Sequence, residues 1–140
     1  MRSCSPASGN SAGSVVPANG LSGNELARQR DALATEVEDL RHQLDAATRE
    51  LDAVRAAKGD SSADDEHDPD GSTLASDWSR ISGLALALGE RQTGVERALE
   101  RIDSGTYGVC ARCGRPIGRA RLGARPAADL CIECARDVSR

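Results

Sequence analysis

The chain is 140 residues long, which is room for about one domain. With one Trp, one Tyr and no Phe, it lacks the bulky side chains that dominate core burial, and its Ala, Leu and Val suit long helices packed side by side. The net charge of −4 is unevenly placed: residues 1–103 hold 11 basic and 19 acidic side chains, residues 104–140 hold 7 and 3, a balance too modest to point to free nucleic acid as the main partner.

Residues 1–20 are rich in Ser, Gly, Ala, Asn and Pro with no hydrophobic period, and read as a disordered tail. The opening Met1-Arg-Ser-Cys-Ser-Pro is not followed by an apolar run, so no secretory signal is expected. No stretch approaches the roughly 20 apolar residues that span a bilayer. The expectation is a soluble, cytoplasmic protein without a membrane partner, and there paired cysteines bind metal more often than they form disulfides.

A coiled-coil hairpin is expected over 21–104. Ser22-Gly-Asn-Glu25 fits a capping box, with Ser22 as N-cap and Glu25 reaching back. Leu26, Arg30, Leu33, Val37, Leu40, Leu44, Ala47, Leu51 and Val54 then alternate by four and three, a heptad stripe in which only Arg30 is polar. Gly59 after Lys58 reads as a helix stop. The segment 59–72 holds six acidic residues between Asp60 and Asp70, with Pro69 and Gly71 opposing a continuous helix, and reads as an acidic loop.

Ser72 or Thr73 can cap a second helix, whose stripe is Leu74, Trp78, Ile81, Ala85, Leu88, Gln92, Val95, Leu99 and Ile102. Two matched stripes joined by a polar turn bury themselves best as an antiparallel αα-hairpin. Leu84 and Leu86 lie off the stripe and read as ordinary partly covered leucines. The fold class is therefore all-α: a long antiparallel hairpin, ended at Ser104-Gly105, then a small four-cysteine segment over 105–140 with a short C-terminal helix.

That last segment carries the strongest chemical signal. Cys110-Ala-Arg-Cys113 and Cys131-Ile-Glu-Cys134 are two C-x-x-C pairs at the separation expected of a zinc site. A two-residue gap lets a tight turn aim both sulfurs at one point, and two such turns complete a tetrahedron. Gly114 follows Cys113, where a knuckle needs a residue free to take positive φ. Four thiolates leave no coordination position for water, so one structural Zn²⁺ is expected rather than a catalytic one. A segment this short buries too little apolar area to fold without it. The redox rival normally follows a β-strand, and no strand pattern is present. Nucleophilic triads and phosphate-cradling glycine loops are absent too, so nothing supports an enzyme.

Arg101-Ile-Asp-Ser-Gly-Thr-Tyr-Gly-Val-Cys110, Cys113-Gly-Arg-Pro-Ile-Gly, Arg121-Leu-Gly-Ala-Arg-Pro126 and Leu130-Cys-Ile-Glu-Cys134 together resemble the DksA/TraR-type C4 zinc finger family over roughly residues 98–137. The resemblance implies a bacterial transcription factor that binds RNA polymerase rather than DNA. Its zinc end would dock at the rim of the secondary channel while the hairpin carries an acidic tip toward the active site. Some members act together with the nucleotide ppGpp, which makes it a candidate co-effector. The family's tip pattern is D-x-x-D-x-A. Here Asp65-Glu-His-Asp68-Pro-Asp70 supplies both aspartates and puts Asp70 where Ala is expected.

The expected tip residues are thus Asp65, Asp68 and Asp70, and Arg112, Arg115, Arg119, Arg121 and Arg125 form a candidate docking face. Two other classes stand beside this reading. A nucleic-acid-binding zinc module would use the same arginines on phosphate with strongly salt-dependent affinity, and a structural coiled coil would dimerise where the hairpin predicts a monomer.

Overall fold

The computed structural model describes residues 19–60 and 69–140, and within them four helices: α1 (Gly23–Asp60), α2 (Pro69–Ser104), α3 (Arg119–Ala124) and α4 (Ile132–Val138). The described residues form two compact units. One holds Gly94–Arg140 with the described part of Met1–Glu36, and the other is Val37–Thr93.

The capping box closes as the sequence predicts. The Ser22 amide donates to Glu25 Oε2 at 2.7 Å and the Glu25 amide donates to Ser22 Oγ at 3.2 Å, which satisfies two of the amides a helix start leaves without partners. Leu21 occupies the position before the cap and is 4% exposed. Leu26, four residues past the cap, is half-buried, the two positions of a hydrophobic staple. Hydrogen bonding through Ser22 holds the Glu25 carboxyl below its ordinary value.

The Val37–Thr93 unit is a helix pair whose stripes turn inward. Val37, Leu40, Ala47, Ile81 and Leu88 are buried, and Leu44, Leu51, Val54, Leu74 and Ala85 are half-buried. The Arg55 guanidinium lies 5.3 Å from the Trp78 ring centre, a cation–π contact of the end of α1 with the start of α2 that makes the pair antiparallel. Trp78 sits on the stripe yet stays 37% exposed, and Leu84 and Leu86 are open to solvent. Each of the burying residues contributes on the order of 1–3 kcal/mol.

In the other unit Leu33, Val95 and Ala98 are fully buried between α1 and α2, and Arg30, the polar member of the first stripe, pairs with Asp103. Ala98 is off the expected stripe. A straight helix drifts by about 20° per heptad against a strict seven-residue repeat, so neighbours of the stripe take over burial along its length. Helix α2 ends in a Schellman motif: the Thr106 amide bonds Arg101 O at 2.9 Å and the Gly105 amide bonds Ile102 O at 3.2 Å, with Gly105 at φ 77°.

Two sequence boundaries differ from the structure. Helix α1 runs through Gly59 to Asp60 and α2 opens at Pro69, so the connection is shorter than 59–72. Proline is tolerated at a first helical position because the amide it lacks would have no helical partner. Asp70 accordingly falls on the first turn of α2, while Asp65 and Asp68 lie outside the described residues.

The second difference is at Asn19 and Gly20, assigned by sequence to a tail. Asn19 is 8% exposed and bonds the C-terminal segment. At 104/105 helix α2 ends as expected, and both α1 and α2 contribute their ends to the unit that holds the cysteines. Hydrogen bonds stitch that unit together, from Arg101 to the carbonyls of Ala127 and Ala128 (both 3.4 Å) and from the Tyr107 hydroxyl to Pro126 O (2.7 Å). No described helix is long and apolar enough to cross a membrane.

Candidate metal centre

The two cysteine pairs reach one point by two different local routes. The first is a knuckle. Val109 and Pro116 form an antiparallel bridge, with the Ile117 amide bonded to Gly108 O at 2.8 Å and the Cys110 amide to Arg115 O at 2.8 Å. The turn closes when the Gly114 amide bonds Cys110 O at 2.9 Å, and Gly114 takes φ 73°, the left-handed conformation glycine adopts at little cost. The second route is a helix start: Cys131 is the N-cap of α4, the Ala135 amide bonds its carbonyl at 2.9 Å, and Cys134 lies on the first turn.

One backbone contact and one side-chain contact fix the halves to one another. The Ala111 amide bonds Asp129 O at 2.9 Å, and Arg115 reaches across to Glu133 Oε2 at 2.8 Å. The result brings Cys110, Cys113, Cys131 and Cys134 together, their sulfurs all within 4.8 Å of one another and every residue buried. Cys113 Sγ and Cys131 Sγ are 3.8 Å apart, far beyond the roughly 2.05 Å of a disulfide.

That spacing can be tested against a metal. A tetrahedral zinc with bonds of about 2.3 Å to sulfur holds its sulfurs about 3.8 Å apart. The donor set fits in number, element and spacing. Burial pushes the Cys110 thiol up, but the backbone amides of Cys131, Cys113 and Arg112 outweigh it and hold the thiol below its ordinary value. A thiol that gives up its proton more readily is a better partner for a cation.

The surroundings are packed. Tyr107 is 1% exposed, and burial pushes its hydroxyl up against the opposing pull of Arg101. Ile117, Leu122 and Leu21 are buried beside it in the same unit. Of the candidate docking arginines, Arg112 lies 3.9 Å from Asp137, Arg115 pairs with Glu133, and Arg119 bonds Gly20 O and pairs with Glu25 at 3.3 Å. Arg121 donates from Nε to Leu130 O at 2.8 Å. Arg121 and Arg125 also line an open concavity of about 410 Å³ with Ile132, Arg136 and Arg140. The structure therefore gathers two of the five at one concavity and uses four of them as internal ties. Sequence reasoning missed Asn19, whose side-chain amide donates to Tyr107 O at 2.8 Å. The available signal was Leu21, an apolar residue directly before a capping box.

Residues 105–140 match the family described as the prokaryotic dksA/traR C4-type zinc finger. An uncharacterized protein of Aquifex aeolicus is 48% identical over 46 residues, 33% of this chain and 32% of that protein. The RNA polymerase-binding transcription factor DksA of Haemophilus influenzae is 50% identical over 40 residues, 29% of this chain and 28% of the relative. These matches span less than a third of the relatives' length. The solved structure of transcription factor DksA2 from Pseudomonas aeruginosa superposes with a TM-score of 0.69 at 25% identity, covering 84% of each chain. The described fold is thus similar to that of DksA2, and residues 105–140 match the DksA/TraR C4-type zinc-finger family.

Proposed function

We propose that this chain is a non-enzymatic transcription factor that binds RNA polymerase through the secondary channel. In this reading the cysteine end docks outside and the segment around Asp65, Asp68 and Asp70 reaches toward the active site. The observation that carries it is the pairing of a C4 zinc-finger segment with a DksA2-like fold across 84% of the chain. The DksA relatives are RNA polymerase-binding transcription factors, which agrees with it.

Physics supports the assignment of roles. Cys110, Cys113, Cys131 and Cys134 hold one zinc ion, and four thiolates leave it no open position, so its work is structural. Helices of 38 and 36 residues have axes of roughly 55 Å at 1.5 Å per residue, slender enough for a channel that excludes a compact domain. Clustered carboxylates at the turn act on a catalytic cation or on basic residues near it through field alone. The ties made by Arg112, Arg115, Arg119 and Arg121 within the chain leave fewer guanidinium hydrogens for phosphate, which favours polymerase over free nucleic acid as partner.

The test is capture of core RNA polymerase by the wild type and by Asp65→Asn/Asp68→Asn, followed by initiation assays with and without ppGpp. Binding by both, with initiation altered only by the wild type, is expected. No capture of polymerase sinks the proposal. Equal effects on initiation sink the tip assignment while docking stands. Sedimentation should give a monomer.

A further inference from the structure

The unit that contains the cysteines also contains a strap. Asn19 is a buried polar residue fully occupied by backbone: its Nδ2 donates to Tyr107 O at 2.8 Å and its Oδ1 accepts from the Leu21 amide at 3.0 Å. Arg119 clamps the next residue, donating to Gly20 O from Nε at 3.2 Å and from a terminal nitrogen at 3.1 Å. Leu21 fills the space beyond it at 4% exposure. Gly20 takes φ 67°, so the chain turns sharply here before the Ser22 cap.

The seat of this strap is made of the knuckle's own stem. Tyr107 and Gly108 lie two to three residues before Cys110, and Gly108 O is held by the Ile117 amide from the other side of the turn. A Cβ at Gly108 would lie 2.7 Å from Asn19 Cβ, 3.4 Å from Leu122 Cδ1 and 3.5 Å from Leu21 Cδ1. The Asn19 Cβ of the strap therefore rests where a side chain would be, and the fit holds only while 108, 117 and 122 keep their places. Those places are set by the turn whose two ends, Cys110 and Cys113, close on the shared sulfur cluster.

We propose that residues 19–22 form a metal-dependent latch: loading of the cysteine cluster builds the seat that holds Asn19 and Leu21 and so fixes the N-terminus of α1, and loss of metal releases it. The latch links the state of the cluster to the start of α1 through a defined two-state contact. Coupling of this kind is reciprocal, so a weakened latch lowers metal affinity by the same factor by which metal loss loosens the latch. This rests on the cluster being a zinc site.

The experiment follows amide hydrogen exchange in the full chain with zinc bound and after chelation. It is paired with competition measurements of zinc affinity for the wild type, Asn19→Ala and Arg119→Gln. Arg119 is exposed and lies outside both C-x-x-C pairs, so its substitution loosens the clamp without emptying the core. The expected result is a Leu21 amide protected with zinc and fast without it, while amides of the Val37–Thr93 unit are unchanged. Asn19→Ala should weaken zinc binding roughly tenfold, equivalent to about 1.4 kcal/mol, and Arg119→Gln severalfold. Equal Leu21 protection with and without zinc, or unchanged zinc affinity in both variants, overturns the latch while the zinc site stands. Absence of stoichiometric zinc in the wild type overturns the metal reading itself.

Discussion

Replacing Gly108 with Ala isolates the packing of the strap from the cost of backbone conformation. Gly108 and Gly105 take nearly the same left-handed conformation, φ 82° and φ 77°. Around Gly105 nothing lies within 4 Å of an added Cβ, whereas at Gly108 the new carbon would meet Asn19 Cβ at 2.7 Å. The conformational cost of Ala over Gly there is about 1–2 kcal/mol at either position.

At Gly108 a further overpacking cost of about 1–3 kcal/mol arises. The obstructing atom is a Cβ, fixed to backbone, and cannot swing aside as a long side chain's end would. Gly105→Ala should therefore cost about 1–2 kcal/mol and Gly108→Ala about 2–5 kcal/mol. Urea unfolding of the zinc-saturated full chain, followed by circular dichroism, reads both. The Leu21 amide should also exchange faster in the second variant alone. If the two substitutions cost the same, Asn19 does not rest on Gly108 and the strap is misplaced.

Leu33, fully buried, should lose about 2–5 kcal/mol on conversion to Ala in the same unfolding assay, whereas Leu86, 66% exposed, should change stability by less than about 0.5 kcal/mol. Ser22→Ala removes the N-cap of α1 and should cost about 1 kcal/mol. The Glu25 carboxyl lies below its ordinary value because of Ser22. Its contribution is therefore complete above the ordinary carboxylate pKa and fades as pH falls through the lowered folded value. The wild type should lose this increment on acidification through that window, and Glu25→Gln, which has no carboxyl to titrate, should not, in melts run at stepped pH. Tyr107→Phe deprives Pro126 O of its 2.7 Å donor and should cost about 1–3 kcal/mol, again by urea unfolding.

Local pattern settled the helices and the cysteine cluster. A capping box, a four-three alternation and two C-x-x-C pairs depend on residues close together in sequence, so Ser22, Leu33, Val37, Leu40, Val95 and the four cysteines could be placed from periodicity and spacing alone. Arg30, the polar member of the apolar stripe, pairs with Asp103.

Tertiary structure decided what no period records. Ala98 is buried because a straight helix drifts against a heptad repeat, and Trp78 stays partly open beneath Arg55. Four of the five candidate docking arginines also make ties within the chain, Arg121 to Leu130 O and Arg115 to Glu133 among them. Asn19 is the sharpest case. Nothing in a Ser, Gly and Asn run distinguishes the one asparagine whose partner, Tyr107 O, lies 88 residues away. Its burial follows from a backbone carbonyl that only the folded knuckle presents and from a glycine with no side chain to keep it out.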